Sequence, residues 1–488
     1  MPFLLLASIL GMLTYVVISR SVANITRTPT WLLWLVMMTP VFVLTAWLVV
    51  NGTEEKPPLG LLYGLFILCP LVYAILIYAG RKTPPKSAEF PKNEPKSAPA
   101  KPISQDEESL LQRCFPWTVY YLQKIEYRPQ AMICRGQLRT SPGKAYQAIQ
   151  QNVKNSFGDR FLVLFQEGLN GRPFFALVPN PQAQPAEGRR GKARDRDSPL
   201  TRPGLALTLV IITLVTTTMA GITYVGETPI AEAWSNRTAL WSGLAYGLSL
   251  MFILGVHETG HYLAARHYRL KATLPYFIPV PFFLGTFGAF IQMKAPIPNR
   301  RALFDVGIAG PLSGLVVTLP ILLWGLAHST VIELTDEASL LNFEALDPSA
   351  SVILAVISKL ALGASLQVDS AISLHPVAVA GCLGLVVTAL NLMPVGQLDG
   401  GHIVHAMYGQ RTGAIVGQIA RLLVLVLAFI HEEFLLWAIL LFFIPADEPA
   451  LNDVSELDGR RDLLGLIALA LLVMIVLPAP SALTQLLF

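Results

Sequence analysis

The sequence Val256-His257-Glu258-Thr259-Gly260-His261 lies inside an apolar segment, from about Leu240 to Arg266, that predicts a single helix. Histidines four residues apart share one face of a helix, so both imidazoles can bind one zinc ion, and Glu258 can act as a base toward water on that ion. The alternative is that His257 and His261 only make hydrogen bonds between packed helices. Ionisable side chains are costly at bilayer depth, which favours a functional metal site of a hydrolase.

The composition indicates a polytopic α-helical membrane protein. Apolar residues make up 53% of the chain and charged residues 14%, the mean hydropathy is +0.53, and apolar segments of spanning length recur. The net charge of +4 is small and is concentrated in a few loops, so it indicates topology and no nucleic-acid partner. The four cysteines show no paired spacing, and neither a disulfide framework nor a cysteine metal site is predicted.

Residues 1–80 are predicted to form an N-terminal membrane anchor of about three transmembrane helices. The candidate spans are Phe3–Ile18, Trp31–Val50 and Leu59–Ala79. No basic segment precedes the first span, so we expect a retained anchor with its N-terminus outside. Residues 81–103 are rich in Lys and Pro and predict an extended linker.

Residues 104–181 are predicted to form a small soluble α+β domain, inserted before the membrane core. Residues Ser141–Phe157 predict a helix, and Phe161–Phe165 and Phe174–Val178 predict strands that flank the turn Asn170-Gly171. The Arg-rich residues 182–203 predict a second, solvated linker. Binding of this linker to anionic lipid headgroups is the alternative.

Residues 204–445 are predicted to form the membrane core, followed by a C-terminal loop and transmembrane helix in 446–488. Besides the helix that carries His257, the predicted spans are Gly204–Val225, Ala302–Ala327, His375–Val395, Ala414–Ile430 (or a longer piece, or a hairpin broken at His431) and Leu463–Leu487.

The segment Pro275–Met293 is apolar but is interrupted by prolines and glycines, among them Gly285 and Gly288. Irregular backbone is tolerated at membrane depth only where protein or a cavity surrounds it. We therefore expect a membrane-embedded, re-entrant strand or loop beside the zinc. A kinked spanning helix is the alternative.

The charges of the loops predict the orientation of the spans. If the spans alternate as predicted, the basic loops, including both linkers, fall on one side, and that side is cytosolic. The opposite loops are acidic. His257 lies nine residues before Arg266 at the cytosolic end of its helix, roughly 13 Å along the axis. The metal is therefore expected in the cytosolic half of the bilayer.

A catalytic zinc site needs a third protein ligand and an open position, because the two histidines supply only two ligands. Asp399 is a candidate, because it lies where an apolar helix gives way to a Pro- and Gly-rich stretch at the depth expected for His257. A polar Asp-Gly turn at the membrane surface is the alternative. His402 and His405 are possible ligands or hydrogen-bond donors, but their spacing does not select them.

Three motifs together resemble the site-2 protease family of intramembrane zinc metalloproteases. They are His257-Glu258-Thr259-Gly260-His261, the stretch Gly307-Ile308-Ala309-Gly310-Pro311-Leu312-Ser313-Gly314, and Asn391-Leu392-Met393-Pro394-Val395-Gly396-Gln397-Leu398-Asp399-Gly400-Gly401. The resemblance covers roughly Leu240 to Gly401. It implies that His257, His261 and Asp399 bind zinc, that Glu258 is the general base, and that Asn391 lies near the substrate carbonyl or its oxyanion.

The resemblance also implies a membrane-embedded strand region at Gly285-Thr286-Phe287-Gly288. Because glycine admits close backbone approach, we expect substrate to add to this segment as a strand at Gly288. The absence of a recognisable PDZ module, together with the soluble domain and its stretch from Glu167-Gly168 to Pro179, resembles the cyanobacterial and plastid branch of the family. A cyanobacterial-type or plastid membrane is the implied location.

Two functions remain open from the sequence. The first is regulated intramembrane proteolysis of single-pass transmembrane proteins, in contact with membrane lipid. The second is membrane transport or binding of a metal or protons by the His/Asp cluster. Glu258 beside the first histidine favours the protease, because a transport site does not need it, and the inverted repeats common in transporters are not evident.

Overall fold

The computed structural model describes residues 28–51, 58–80, 105–128, 131–168, 171–180, 202–222, 236–280, 284–333, 345–367, 369–430 and 434–488, with the single residues 11, 15, 19, 26 and 103. The expected first span and the two linkers lie almost wholly outside these residues. So do parts of the acidic loops that were predicted on the side opposite the basic loops. The chain forms two compact units, residues 1–98 and 99–488.

The first unit contains two apolar helices, α1 (Thr30–Asn51) and α2 (Leu59–Ala79), which pack against each other. The hydroxyl of Thr28 donates to the carbonyl of Leu76 over 2.8 Å and joins the start of α1 to the end of α2. Both helices lie where the sequence predicts apolar spans.

The second unit begins with the α+β domain. Its elements are α3 (Gln105–Arg113), β1 (Tyr120–Arg128), β2 (Ala131–Leu138), α4 (Pro142–Phe157), β3 (Phe161–Glu167) and β4 (Pro173–Pro179). The four strands form an antiparallel sheet in the order β1-β2-β4-β3, so β1 and β3 are its edges. The prediction of α4, β3 and β4 is confirmed. Strand β1 was not predicted, because its sequence YYLQKIEYR is largely polar and lies mostly on the surface.

The core of this domain contains both aliphatic and aromatic side chains, among them one aromatic residue from each of three strands. Phe165, Phe175 and Tyr120 are all fully buried, and the rings of Phe165 and Phe175 stack with their centroids 4.1 Å apart. Side chains on alternate positions point to the same face of a sheet, so these rings meet beneath α4.

The rest of the second unit is mainly helical. Its helices are α5 (Pro203–Ala220), α6 (Arg237–His267), α7 (Arg300–Ala327), α8 (Val352–Leu362), α9 (Pro376–Leu392), α10 (Asp399–Tyr408), α11 (Gln410–Ile430), α12 (Leu435–Phe443), α13 (Gly459–Val476) and α14 (Ser481–Leu487). Helices α6, α7 and α9 pack together at the centre, and α13 packs against α9 and α10. The short helix α8 and the two-stranded sheet of β7 (Thr330–Glu333) and β8 (Ser370–Ser373) were not predicted.

Within the described residues, five helices are long and apolar enough to cross a membrane, namely α1, α5, α6, α7 and α11. Helices α13 and α14 make a sixth if the bent pair is one span. The sequence predicts a continuous helix there, Leu463–Leu487, but the chain bends by 81° between the two helices. Pro478 and Pro480 lie in the break, and proline cannot continue a helix because it lacks the backbone donor.

The interrupted apolar segment forms strands and not a kinked helix. Strand β5 (Tyr276–Pro279) pairs antiparallel with β6 (Thr286–Phe290), with a register shift between Phe277 and Pro279. The hairpin is held on the helices, because the hydroxyl of Thr216 on α5 donates to the carbonyl of Gly285 over 2.7 Å and that of Tyr246 on α6 donates to the carbonyl of Leu284 over 3.1 Å. The predicted strand therefore lies against the helix that carries the histidines.

The α+β domain is joined to the helical part by an extension of its sheet. At the edge strand β3, the N–H of Phe165 donates to the carbonyl of Leu451 over 2.7 Å, and the N–H of Asp453 donates to the carbonyl of Phe165 over 2.9 Å. On its other side the same short segment pairs with Ile297 and Pro298, just before α7. Backbone pairing thus links the domain to the start of a central helix.

Candidate metal centre

Helix α6 places both histidines of the motif on the side that faces α7. The side chain of Asn236 caps the first turn of α6 by accepting from the backbone N–H groups of Thr238 and Ala239. At Gly310 the two helices approach so closely that a Cβ atom would lie 2.0 Å from Nε2 of His261. The small residues of the Gly307–Gly314 stretch therefore make room for the imidazoles.

The structure brings Asp399 to the two histidines. The carboxylate oxygen Oδ2 of Asp399 lies 3.5 Å from Nε2 of His257 and 3.2 Å from Nε2 of His261, and the two imidazole nitrogens are 3.2 Å apart. All three ligand atoms lie within 4.8 Å of one another, and it is the single such group of three or more among the described residues. Asp399 is the first residue of α10, after the Pro- and Gly-rich turn that ends α9.

The donor set fits a zinc ion. Nδ1 of His261 lies 2.7 Å from the carbonyl oxygen of Val306, and a hydrogen bond there fixes the tautomer that leaves Nε2 free to bind metal. Both histidines are buried, with exposed fractions of 3% and 7%. Two imidazoles and a carboxylate are the ligand types of a catalytic zinc site, which keeps a further position open.

Two other predicted residues lie at the same place. Nδ2 of Asn391, near the end of α9, lies 3.2 Å from Nε2 of His257. The carboxylate of Glu258 accepts a hydrogen bond from the backbone N–H of Ile291, the residue after β6. This bond connects the hairpin to the centre, and the sequence carries no signal for it.

Gly288 lies in the middle of β6 with φ at +100°, a conformation that favours glycine. Its neighbours Phe287 and Phe290 are 71% and 46% exposed. A side chain at Gly288 would have open space, with no heavy atom within 4 Å of its Cβ. The residue therefore lies on an accessible part of the hairpin and not within the metal cluster.

His402 and His405, left open by their spacing, do not join the cluster. Their Nδ1 atoms lie 2.9 Å and 2.5 Å from the two carboxylate oxygens of Asp447, and Nε2 of His405 lies 2.9 Å from Asp453. Burial lowers the pKa of His405, but its hydrogen bonds to the two carboxylates outweigh this effect and raise the pKa to about 9. Asp447 and Asp453 were missed by the sequence analysis, because no local motif contains them.

The site combines an HExxH motif with a third carboxylate ligand candidate, on apolar helices long enough to cross a membrane. Residues 245–431 match the model of peptidase family M50, and they include every residue of the metal centre. The similarity to this family covers somewhat more than a third of the chain. Residues 109–185, essentially the α+β domain, match the model called EGY3 middle domain.

The similar curated proteins include chloroplastic plant proteins. "Probable zinc metalloprotease EGY2, chloroplastic" of Arabidopsis thaliana is 28% identical over 77% of this chain and 65% of its own length, and the protein of the same name from Oryza sativa subsp. indica is 26% identical over 76% and 66%. "Probable zinc metalloprotease EGY1, chloroplastic" of Arabidopsis thaliana is 34% identical over 50% of this chain and 44% of its own length. The chain spans just under two thirds of the EGY2 relatives. The chain is thus similar to plant proteins named as chloroplastic zinc metalloproteases.

No solved structure matches the chain at the level of significance that the curated relatives reach.

Proposed function

We propose that this chain is an intramembrane zinc metalloprotease, which hydrolyses a peptide bond within or near a transmembrane helix of a single-pass membrane protein. The observation that carries the proposal is the meeting of His257, His261 and Asp399, from two separate helices, beside Glu258. A transport site would use the three ligands alone. Here the adjacent carboxylate is held by the backbone of a strand hairpin, which suits a fixed base.

Each residue has a role in this proposal. A zinc ion held by His257, His261 and Asp399 would supply a Lewis acid for the attacking water and the scissile carbonyl. Glu258 takes up the proton that the water loses and later gives it to the leaving amine. The amide of Asn391 donates a hydrogen bond to the carbonyl oxygen as negative charge develops on it.

Substrate would bind along the β5–β6 hairpin. A transmembrane helix satisfies its own backbone hydrogen bonds, so its scissile peptide must unwind locally and find new partners. Strand β6 has one edge without a strand partner among the described residues, and an unwound substrate can add to such an edge as a further strand. This mode of binding favours substrates with helix-weakening Gly, Pro or Asn in the span.

We further propose that the metal centre lies in the cytosolic half of a cyanobacterial-type or plastid membrane, with the α+β domain on the cytosolic (in plastids, stromal) side. Support comes from the distribution of basic residues in the loops and from the chloroplastic relatives. Cleavage would then release the part of the substrate on that side, as regulated intramembrane proteolysis requires.

The test compares intact protein in lipid vesicles with the variant Glu258→Gln, using a model single-pass substrate and a measurement of bound zinc. Glu258→Gln keeps the shape of the side chain and removes the base. We expect full zinc occupancy and a loss of cleavage rate of at least about a hundredfold.

The matched control is Glu333→Gln, an equivalent change at an exposed glutamate on β7, which should cut at the normal rate. Near-normal turnover of Glu258→Gln would contradict the role of this residue. Zinc binding by the wild-type protein without any cleavage would contradict the proposed function and favour transport.

A further inference from the structure

A second buried cluster of basic and acidic side chains includes His402 and His405 of α10, the helix that begins at Asp399. Its members have side chains that are 18% exposed or less, and they are Arg300, His402, His405, Asp447 and Asp453. Basic and acidic groups alternate through the cluster, so each buried group contacts one of the opposite kind. The cluster contains no group placed in the reaction so far.

The middle of this cluster is Asp447, on the segment that follows α12. Its two carboxylate oxygens contact Nδ1 of His402 at 2.9 Å and Nδ1 of His405 at 2.5 Å. Both histidines lie on α10, the ten-residue helix whose first residue is Asp399. A helix this short is rigid over its length of about 15 Å, so contacts that fix His402 and His405 also fix the position of Asp399.

The same segment holds the backbone on the other side of Asp399. The N–H of Gln397 donates to the carbonyl of Pro445 over 3.2 Å, and its side chain donates to the carbonyl of Ala446 over 3.4 Å. Asp399 is therefore bracketed, with Gln397 bound just before it and the two histidines bound just after it.

The segment is itself fixed at both ends. At its start, the guanidinium of Arg421 on α11 donates to the carbonyl of Ile444 over 2.7 Å. At its end, Asp453 lies 3.1 Å from Nε of Arg300 at the start of α7 and 2.9 Å from Nε2 of His405, and its backbone pairs with β3 of the α+β domain. The contacts that position Asp399 thus extend to the α+β domain.

We propose that Asp447 is a positioning residue for Asp399, and that the segment from Ile444 to Asp453 sets the place of this carboxylate in the metal centre. A carboxylate has many rotamers, and a metal centre needs its ligand atoms within about 0.2 Å of their places. Partners beyond the ligands supply that precision, and their loss costs metal affinity. The proposal rests on the proposed function only in taking Asp399 as a metal ligand.

The test is the variant Asp447→Asn in the full-length protein, with two readouts that need no substrate. One is the zinc dissociation constant, measured by competition with a chelator, and the other is the visible absorption spectrum after replacement of zinc by Co²⁺. The substitution would remove the negative charge between the two imidazoles and replace one carboxylate oxygen by an NH2 group, which cannot accept a hydrogen bond from an imidazole. We expect the dissociation constant to rise by about tenfold or more and the cobalt bands to shift.

The matched control is Asp458→Asn. Asp458 lies on the same loop and pairs with Arg461, and among the described residues no ion pair or hydrogen bond joins its side chain to α10. Removal of this ion pair should destabilise the loop without a change in zinc affinity or in the cobalt spectrum. Equal effects of Asp447→Asn and Asp458→Asn would overturn the proposal, and so would an unchanged spectrum and affinity in Asp447→Asn.

If Asp447→Asn does not fold, His402→Gln removes only the contact of one oxygen, at the most exposed histidine of the cluster. A smaller shift in the same direction supports the proposal, and wild-type affinity and spectrum overturn it. These outcomes differ from a failure of the proposed function. A wild-type protein whose cobalt spectrum depends on Asp399 but which cuts no substrate would defeat the function, while the comparison of Asp447→Asn with Asp458→Asn would still decide the positioning role.

Discussion

Gly310 on α7 should be essential for metal binding, although it is not a ligand. A Cβ atom at this position would lie 2.0 Å from Nε2 of His261, and real Cβ atoms essentially never come within 3.0 Å of such a neighbour. In Gly310→Ala the ring must therefore move by about 1 Å, several times the roughly 0.2 Å that a metal ligand can deviate. We expect zinc affinity to fall at least about a hundredfold, or about 2.7 kcal/mol.

Two other helical glycines provide a graded series. A Cβ at Gly314 would lie 3.1 Å from Nδ1 of His257, and one at Gly255, on the histidine helix itself, would lie 3.6 Å from the ring of Phe277. The expected order of zinc affinity is wild type equal to Gly255→Ala, then Gly314→Ala, then Gly310→Ala. Alanine is the better helix former by about 1 kcal/mol, so a loss of zinc cannot be attributed to helix propensity.

The assay is chelator competition on purified protein, with circular dichroism to verify that each variant keeps its helices. Wild-type zinc affinity in Gly310→Ala would refute the reasoning. It would mean that α6 and α7 separate easily, and that the close contact between them does not position His261.

The remaining predictions concern the hairpin and the second cluster. Gly288→Val should keep zinc but lose cleavage of the model substrate. The control Gly363→Val also places valine at a positive φ with open space around it, and it should keep both zinc and cleavage. Unchanged cleavage in Gly288→Val would count against strand addition. Because the pKa of His405 is raised from 6.5 to about 9, its stabilisation is complete below pH 6.5 and is lost as the pH rises through about 9. The thermal midpoint should therefore fall over this range in the wild type and less steeply in His405→Gln; equal slopes would refute this assignment.

The sequence predicted most of the long elements correctly, because their signals are local. The predicted apolar spans form helices at α1, α2, α5, α6, α7, α9 and α11, because their sequence is continuously apolar. The Pro- and Gly-interrupted segment, predicted as a strand or a loop, forms two strands. Errors arose where the local signal was weak or mixed. The largely polar β1 and the short helix α8 were not predicted. Helices α13 and α14 were predicted as one continuous helix, although prolines lie between them.

The metal centre, too, could be predicted from the sequence only in part. The spacing of His257 and His261 on one helix is a property of the sequence, because a helix brings residues four apart to one face. The choice of Asp399 over His402 and His405 was supported by a family resemblance, since spacing alone left the three open. The structure brings Asp399 to His257 and His261, because α10 starts at Asp399, whereas His402 and His405 lie against Asp447.

By itself, the sequence determined which segments are apolar enough for helices, which helix carries the paired histidines, and where the α+β domain lies. Only the tertiary structure decided that Gly310 makes room for an imidazole, that Ile291 holds Glu258, and that the segment ending at Asp453 joins an edge strand to the helix that starts at Asp399. The physical reason is range. Helix periodicity and hydropathy act between neighbours in the chain, whereas these contacts join residues far apart in sequence and depend on how whole helices pack.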